Sequence, residues 1–181
     1  MKLGKVLVAA LAAALLSGCE APSDTPSEGA APTASPRSVR ELCEFPKSFF
    51  ATYLGLTGLE GTPIFVRSEA EKAGPIGTGK TCGFTAGSPA PVATITLEYQ
   101  RADRSSASTG SEPARVLVVN GVSVSRVLEP APSYENSGAR VRMSATVDGW
   151  YGELSYKGGD ERALQAGAAM LVDMIRTLKP A

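Results

Sequence analysis

The chain has 181 residues with three cysteines, Cys19, Cys43 and Cys82, and no histidine. A cysteine thiolate is a nucleophile and can also form a disulfide or bind a metal. The absence of histidine removes the commonest general base, the Ser-His and Cys-His nucleophile pairs, and every zinc site that needs histidine. The formal net charge of zero argues against a nucleic-acid binder, which needs a basic patch. The cysteines therefore offer the clearest chemistry.

Cys19 follows a segment that is typical of a secretion signal. Lys2 and Lys5 precede an apolar run over residues 6–16. This run fits the roughly 7–15 residues of a signal-peptide core and is shorter than the roughly 20 residues that span a membrane. The run ends in Leu16-Ser17-Gly18-Cys19, which is an aliphatic residue, two small residues and a cysteine. This order resembles the lipobox of bacterial lipoproteins.

The resemblance implies that residues 1–18 are a signal peptide and that Cys19 becomes the lipidated N-terminus of the mature protein. In that family the thiol receives a diacylglyceryl group, the peptidase cuts before the cysteine, and many species acylate the new amino group. We therefore expect a protein that is lipid-anchored to the cell membrane on its extracytoplasmic face, because two or three acyl chains anchor stably. The alternative is an ordinary secretory signal whose cysteine is incidental.

Residues 20–38, between Cys19 and the rest of the chain, have a distinct amino-acid composition. They contain no Val, Ile, Leu, Met or aromatic residue and are mostly Pro, Ser, Ala and Thr. Such a segment cannot bury enough apolar surface to offset its chain entropy. We assign residues 19–38 to the lipidated cysteine and a disordered linker, and residues 39–181 to a single α+β domain.

Cys43 and Cys82 remain once Cys19 is assigned to lipidation. An even number of cysteines in an oxidising compartment favours a disulfide. A redox-active or metal-binding pair is the alternative, but there is no Cys-x-x-Cys spacing and no histidine. We predict a structural Cys43–Cys82 disulfide that ties the N-terminal helix to the first strands.

Apolar periodicity and turn residues predict the elements of the domain. Ser38 and Glu41 have capping-box spacing, and a short helix is predicted over residues 46–54, ending at Gly55. Strands are predicted over residues 64–66, 80–84 and 92–99, and a long polar surface loop over residues 102–113.

Two hairpins and a final helix complete the prediction. Asn120-Gly121 and Asp148-Gly149 are type I′ turn pairs, and they place Val119 opposite Val122 and Val147 opposite Trp150. A C-terminal helix capped by Asp160 carries an apolar stripe of Leu164, Ala168, Leu171, Ile175 and Leu178. We therefore expect an α+β fold with an antiparallel sheet of about six or seven strands, a short N-terminal helix and a C-terminal amphipathic helix packed on the sheet.

These features resemble an uncharacterised domain family of actinobacterial cell-envelope lipoproteins. The matching pieces are Leu42-Cys43, Tyr53-Leu54-Gly55, Thr81-Cys82-Gly83-Phe84 and the stripe from Leu164 to Leu178. A tryptophan often follows the second cysteine in that family, and Phe84 stands at its place. The resemblance supports the fold outline, and the family has no established activity to transfer.

The segment Gly74-Pro75-Ile76-Gly77-Thr78-Gly79-Lys80-Thr81 matches the phosphate-binding pattern G-x-x-x-x-G-K-[ST]. That chemistry needs a buried strand before the loop and a helix after it, so that backbone N–H groups face the phosphates. Neither flank has that pattern, and ATP is scarce outside the membrane. We interpret the segment as a Gly-rich turn before a strand and predict no nucleotide binding.

The remaining polar candidates carry weaker signals. Glu69 with Glu71, and Asp160 with Glu161, are predicted to be solvated carboxylates, because exposed loop positions give no reason for a raised pKa. Tyr151, with Arg140 and Arg142 near it on the outer face of the second hairpin, is a possible recognition patch.

Together these observations predict a non-enzymatic envelope lipoprotein, without a cofactor, that binds a partner protein or envelope polymer. The alternative is a carrier or sensor of a small apolar ligand held between helix and sheet. Its cavity would be lined by Phe65, Phe84, Met143, Trp150 and Met170, which would otherwise fill a dry core.

Overall fold

The computed structural model describes residues 34–66, 68–87, 90–100, 115–129 and 139–181. They belong to one compact unit, Pro32–Ala181. The predicted signal peptide, Cys19, most of the predicted linker and the predicted loop over residues 102–113 lie outside the described residues.

The described residues form four helices and nine strands. The helices are α1 (Val39–Glu44), α2 (Lys47–Leu54), α3 (Glu69–Ala73) and α4 (Glu161–Leu178). The strands are β1 (Ser35–Ser38), β2 (Glu60–Pro63), β3 (Pro75–Gly77), β4 (Gly79–Thr85), β5 (Ala93–Tyr99), β6 (Arg115–Val119), β7 (Val122–Glu129), β8 (Arg140–Val147) and β9 (Trp150–Lys157).

Seven of these strands form one antiparallel sheet in the order β2-β4-β5-β9-β8-β7-β6, and β1 pairs separately with β3. Helix α4 packs on one face of the large sheet, here called the inner face. The predicted α+β class, with an antiparallel sheet of about six or seven strands, a short N-terminal helix and a C-terminal helix packed on the sheet, is confirmed, and the N-terminal part contains two short helices, α1 and α2. Among the residues described, no helix is long and apolar enough to span a membrane.

The two predicted hairpins form with the predicted registers. Val119 pairs with Val122 and Leu117 with Val124 in the first hairpin. Asn120 and Asp148 have φ values of 50° and 51°, and glycines with positive φ follow both. Type I′ turns need this backbone at both central residues, so the Asn-Gly and Asp-Gly pairs fix which side chains face the core.

Helix α4 lies directly against the inner face. The Asp160 side chain accepts a hydrogen bond from the Ala163 backbone N–H, as an N-cap should. Every residue of the predicted stripe is buried. A Cβ added to Gly152 of β9 would lie 2.7 Å from Ile175 Cδ1. The helix and the sheet are therefore in direct contact at Gly152.

The N-terminal helices α1 and α2 cover another part of the core than α4 does. The structure contains the Cys43–Cys82 disulfide, which joins α1 to β4 across a sequence separation of 39 residues. Loop-closure entropy assigns such a cross-link about 4 kcal/mol of stabilisation. From α2, Phe50 packs edge-on against Phe84 with ring centroids 4.9 Å apart. The Ser38–Glu41 capping box is also present.

Three local predictions are wrong. Residues 35–38, placed at the end of the linker, form β1, and the Ser35 hydroxyl donates to the Leu178 carbonyl. The predicted strand over residues 64–66 is a turn that follows β2, and Phe65 within it has φ 62°. Residues 69–73 form α3, because Ser68 caps a short stretch of helix-favouring residues that carries no apolar period.

Candidate functional site

The two hairpins separate from each other at their turn ends. The ladder between β7 and β8 begins at Val124–Ala145 and runs away from the turns. Ser123 and Thr146, the next residues toward the turns, lie just beyond the last paired residues of this ladder. A groove of about 1040 Å³ opens there. We call it the hairpin groove, and its principal residues are Val116, Ser123, Ser125, Ser144, Thr146, Tyr151, Arg176 and Lys179.

Backbone groups point into the hairpin groove. In a two-residue hairpin, the residues that flank the turn bond to each other, so the next residue of each strand directs its N–H and C=O to the opposite side. Val122 bonds toward β6 and Val147 toward β9, and Ser123 and Thr146 therefore face each other across the gap. Val124 and Ala145 are therefore a pair without mutual hydrogen bonds, and the last bond of the ladder runs from the Thr146 N–H to the Ser123 C=O. The Ser123 N–H and the Thr146 C=O are not bonded in this ladder and point toward the hairpin groove.

The C-terminal end of α4 holds both turns in place. Arg176 Nη2 donates to the Asn120 carbonyl oxygen over 3.0 Å. Lys179 Nζ lies 3.0 Å from Asp148 Oδ2, in an ion pair. One helix end therefore contacts the turn of each hairpin, and these contacts fix how far apart the turns lie. They also place two cations at one end of the hairpin groove.

The floor of the hairpin groove is polar and hydroxyl-rich. Ser125 and Ser144 lie opposite each other in the ladder, with side chains on the outer face of the sheet. The Tyr151 hydroxyl donates to Glu153 Oε2 over 2.6 Å. Burial, followed by this hydrogen bond, raises the pKa of the Tyr151 phenol well above its usual range. The phenol is therefore uncharged at neutral pH.

Strand β6 forms the apolar rim of the hairpin groove and one edge of the sheet. Val116 and Val118, on its outer side, are 62% and 72% exposed. An edge strand has unpaired N–H and C=O groups along one side and is a template for pairing with another chain. The opposite edge strand, β2, ends in Pro63, which lacks an N–H to donate.

The predicted recognition patch is only partly assembled. Tyr151 is half-buried at the floor of the hairpin groove and does not project from the surface. Arg142 Nη2 lies 2.7 Å from Glu129 Oε1 and its Nε lies 4.0 Å from Glu153 Oε1. Arg140 pairs in register with Glu129 and Lys157 on neighbouring strands. The network links β7, β8 and β9 beside the hairpin groove.

The carboxylates considered from sequence are exposed or take part in ion pairs and helix capping. Glu69 and Glu71 are exposed in α3, where Glu69 forms an ion pair with Lys72. Asp160 caps α4, and exposed Glu161 lies 3.8 Å from the buried Arg126. Within the described ranges, no group of three or more His, Cys, Asp or Glu side chains could hold a metal ion.

The phosphate-loop pattern has the wrong surroundings for its chemistry. Helix α3 leads into it, and the short strand β3 and the start of strand β4 at Gly79 both lie inside the pattern. No helix N-terminus follows to face a phosphate, as the chemistry requires. Gly77 has φ 64° and Thr78 lies in the turn that follows. The prediction of a Gly-rich turn before a strand is confirmed.

The residues suggested for a cavity between the layers do not form one common lining. Phe84, Met143 and Trp150 are buried in the core. Phe65 is 96% exposed, so its placement in a cavity lining is wrong. The reason is local, because Phe65 lies in the turn after β2 and outside any strand that faces the core.

Comparisons of the chain with protein-family models, curated proteins and solved structures gave no match.

The hairpin groove itself was not predicted from sequence. Its signal is the alternation of small polar residues, Ser123 and Ser125 on one strand with Ser144 and Thr146 on the other. Turn chemistry fixes the register inside each hairpin but not between the two hairpins.

Proposed function

We propose that this protein is a lipid-anchored, extracytoplasmic envelope protein that acts as a non-enzymatic binding module. Its anchor is the acylated Cys19 of the lipobox, and its domain binds an extended segment of a partner protein in the hairpin groove. The observation that carries the proposal is the hairpin groove itself, which opens where the ladder between β7 and β8 ends and is bordered by both hairpin turns and the end of α4.

The geometry of the hairpin groove favours an extended peptide. An extended segment at the end of the ladder can accept a hydrogen bond from the Ser123 N–H and donate one to the Thr146 C=O, as in strand addition. The exposed Val116 offers apolar contact at the rim, and the hydroxyls of Ser125 and Ser144 can bind polar groups at the floor. Asp148 neutralises Lys179, so Arg176, which donates to a neutral carbonyl, is the cation at this end that favours a carboxylate on the bound segment.

A carrier of small apolar ligands has less support. Such a ligand needs space between helix and sheet, and these layers touch at Gly152. An envelope polymer remains the other occupant of the hairpin groove, because hydroxyl-rich floors also suit carbohydrate. The two occupants differ in whether backbone pairing is used.

Photo-crosslinking in the living host tests the proposal. A photoreactive amino acid is placed at Ser123 or Thr146 in the hairpin groove, and at Thr94 as the matched control. Thr94 lies on the outer face of β5, at a distance from the hairpin groove. We expect one discrete protein adduct from the groove positions and none from Thr94.

A blocking variant makes the test specific. Ser144→Trp fills the floor of the hairpin groove and should abolish the adduct, whereas Thr94→Trp should leave it. Adducts that persist in Ser144→Trp would contradict the proposal. An adduct that protease leaves intact and glycan hydrolase removes would assign the hairpin groove to an envelope polymer. The anchor is tested separately with Cys19→Ala. Recovery of this variant in the soluble fraction, and of the native protein in membranes, would establish the anchor.

A further inference from the structure

Neither burial nor backbone preference explains why a phenylalanine stands at position 65. It is 96% exposed, at the turn that follows β2. Its φ of 62° lies in the left-handed region, where a bulky residue is a genuine outlier and glycine is at ease. The fold therefore does not require phenylalanine here. Strained residues of this kind occur preferentially at functional sites.

The turn that carries Phe65 lies where the N-terminal segment joins the domain. Ile64 N–H donates to the Thr81 carbonyl oxygen over 2.8 Å, which places the turn beside the start of β4. Ser35, the first residue of β1, pairs with Gly77, two residues before β4 begins. The chain that precedes Ser35 therefore meets the domain at the same end of the sheet as Phe65.

The segment between Cys19 and Ser35 is short. If it is the flexible tether that its composition predicts, its root-mean-square reach is only about 20 Å. A lipidated Cys19 would thus hold this end of the domain close to the bilayer, and Phe65 with it.

We propose that the Phe65 turn docks the domain on the bilayer, with the Phe65 ring entering the interface between headgroups and acyl chains. The proposal rests on the lipid anchor of the proposed function. An aromatic ring at the interface buries its apolar body at the level of the headgroups. Docking would fix the orientation of a domain that the tether alone leaves free to turn.

The surroundings of Phe65 favour a bilayer over a protein pocket. The depression beside it, of about 390 Å³, is lined mainly by polar residues such as Thr78, Thr81 and Thr96. A protein interface has an apolar, well-packed centre around its aromatic anchor, and no such patch is built here. Lys80 and Glu98 line the same depression with opposite charges. Docking should therefore depend on the apolar ring and only weakly on salt.

Fluorescence quenching in vesicles tests the proposal with the full lipidated protein. The vesicles contain phosphatidylethanolamine and phosphatidylglycerol, with or without bromine on the acyl chains. Phe65→Trp reports on the turn, and Tyr53→Trp is the matched control. Tyr53 is 47% exposed in the last turn of α2, and the next residue, Leu54, lies beside Gly159. That end of the sheet lies about 20 Å from the Phe65 end, along the length of β5.

The two variants share the buried Trp150 as background. We expect brominated lipid to reduce the added fluorescence of Phe65→Trp by roughly half, because the ring samples the depth of the interface, and to leave that of Tyr53→Trp unchanged. Phe65→Ala should lower the docked-to-undocked ratio by roughly tenfold, from the loss of the buried ring. Both exposed positions tolerate substitution, and unchanged melting curves verify folding.

Each other outcome overturns the inference. If the protein floats with the vesicles but neither variant is quenched, or both are quenched equally, the Phe65 turn does not dock and the lipid anchor stands. If Phe65→Trp responds only when envelope proteins are added, the ring binds a protein instead. If the native protein does not remain with vesicles at all, the lipid anchor fails, and the docking proposal fails with it.

Discussion

Replacement of Gly152 by alanine tests how closely α4 and the sheet are packed. A Cβ at position 152 would lie 2.7 Å from both Cγ1 and Cδ1 of Ile175 and 3.1 Å from Cδ1 of Leu171. Carbon atoms in ordinary contact are about 3.5–4.0 Å apart. The added methyl group therefore overlaps Ile175 by about 1 Å, and either the helix or the Ile175 side chain must move.

The expected cost follows from overpacking. Inserting a methyl group into a filled core destabilises a protein by about 1–3 kcal/mol. Where space exists, alanine is instead favoured over glycine in a strand by about 0.5–1 kcal/mol. The sign of the effect therefore reports whether the layers touch. At roughly 3 °C per kcal/mol for a domain of this size, we expect Gly152→Ala to lower the melting temperature by roughly 3–9 °C.

Thermal and urea unfolding, followed by circular dichroism, measure the difference. Ile175→Ala supplies the control, because it removes the atoms that the new methyl group meets. In the Ile175→Ala background, Gly152→Ala should be neutral or stabilising, although Ile175→Ala alone costs about 2–5 kcal/mol. An unchanged or raised melting temperature for the single Gly152→Ala variant would refute the packing argument. It would also restore support for a ligand cavity between the layers.

Two further predictions concern the N-terminal part of the domain. Reduction of Cys43–Cys82, or its replacement by two alanines, should lower the free energy of unfolding by about 2–5 kcal/mol, measured by urea denaturation with and without reductant; equal stability of the two forms would contradict it. Ser38→Ala should cost about 1 kcal/mol at neutral pH. Because hydrogen bonds from Ser38 lower the pKa of Glu41 below its usual 4.5, the contribution of this pair is complete above that pH and is lost as the pH falls through the lowered pKa. Ser38→Ala keeps the backbone N–H that lowers this pKa most and removes the hydroxyl bond to Glu41 as well as the N-cap bond. The stability difference between wild type and Ser38→Ala should therefore shrink in acid to the contribution of the N-cap bond alone, and a constant difference down to low pH would contradict this reasoning.

Much of the fold could be predicted because local chemistry and the global pattern agree. The Asn120-Gly121 and Asp148-Gly149 pairs specify their turns, and alternation along each strand specifies the same register. The apolar stripe on α4 has only one surface, the sheet, against which it can be buried. In these places two independent signals give the same structure.

The wrong predictions of secondary structure concern segments for which only one local signal was available. Ile64, Phe65 and Val66 have strong β-propensity, but propensity describes the fit to a half-buried pleated surface. Here the strand is β2, just before these residues, in a segment of weaker propensity that pairs with β4. Residues 35–38 have a linker composition and become a strand because β3 pairs with them. Both outcomes depend on long-range pairing.

The hairpin groove was beyond sequence reasoning for the same reason. Its width depends on how the first hairpin is placed against the second, and on the contacts of Arg176 and Lys179 with the two turns. Neither turn pair encodes this distance. Of the polar residues considered from sequence for a functional role, Tyr151 alone lines the hairpin groove, and there it belongs to the floor.

Amide hydrogen exchange at four residues tests the central claim, that the ladder between β7 and β8 ends at Val124–Ala145 and leaves the hairpin groove open to a partner's backbone. By alternation, the N–H groups of Ser123, Ser125, Ser144 and Thr146 all point toward the space between these strands, but only the Ser123 N–H lies beyond the last hydrogen bond of the ladder. In the full chain without partner, we predict fast exchange at Ser123, slower exchange at Thr146 and the strongest protection at Ser125 and Ser144. Binding of the crosslinked partner segment should slow exchange at Ser123. Equal protection of all four amides in the free protein, or unchanged exchange at Ser123 in the complex, would contradict the account.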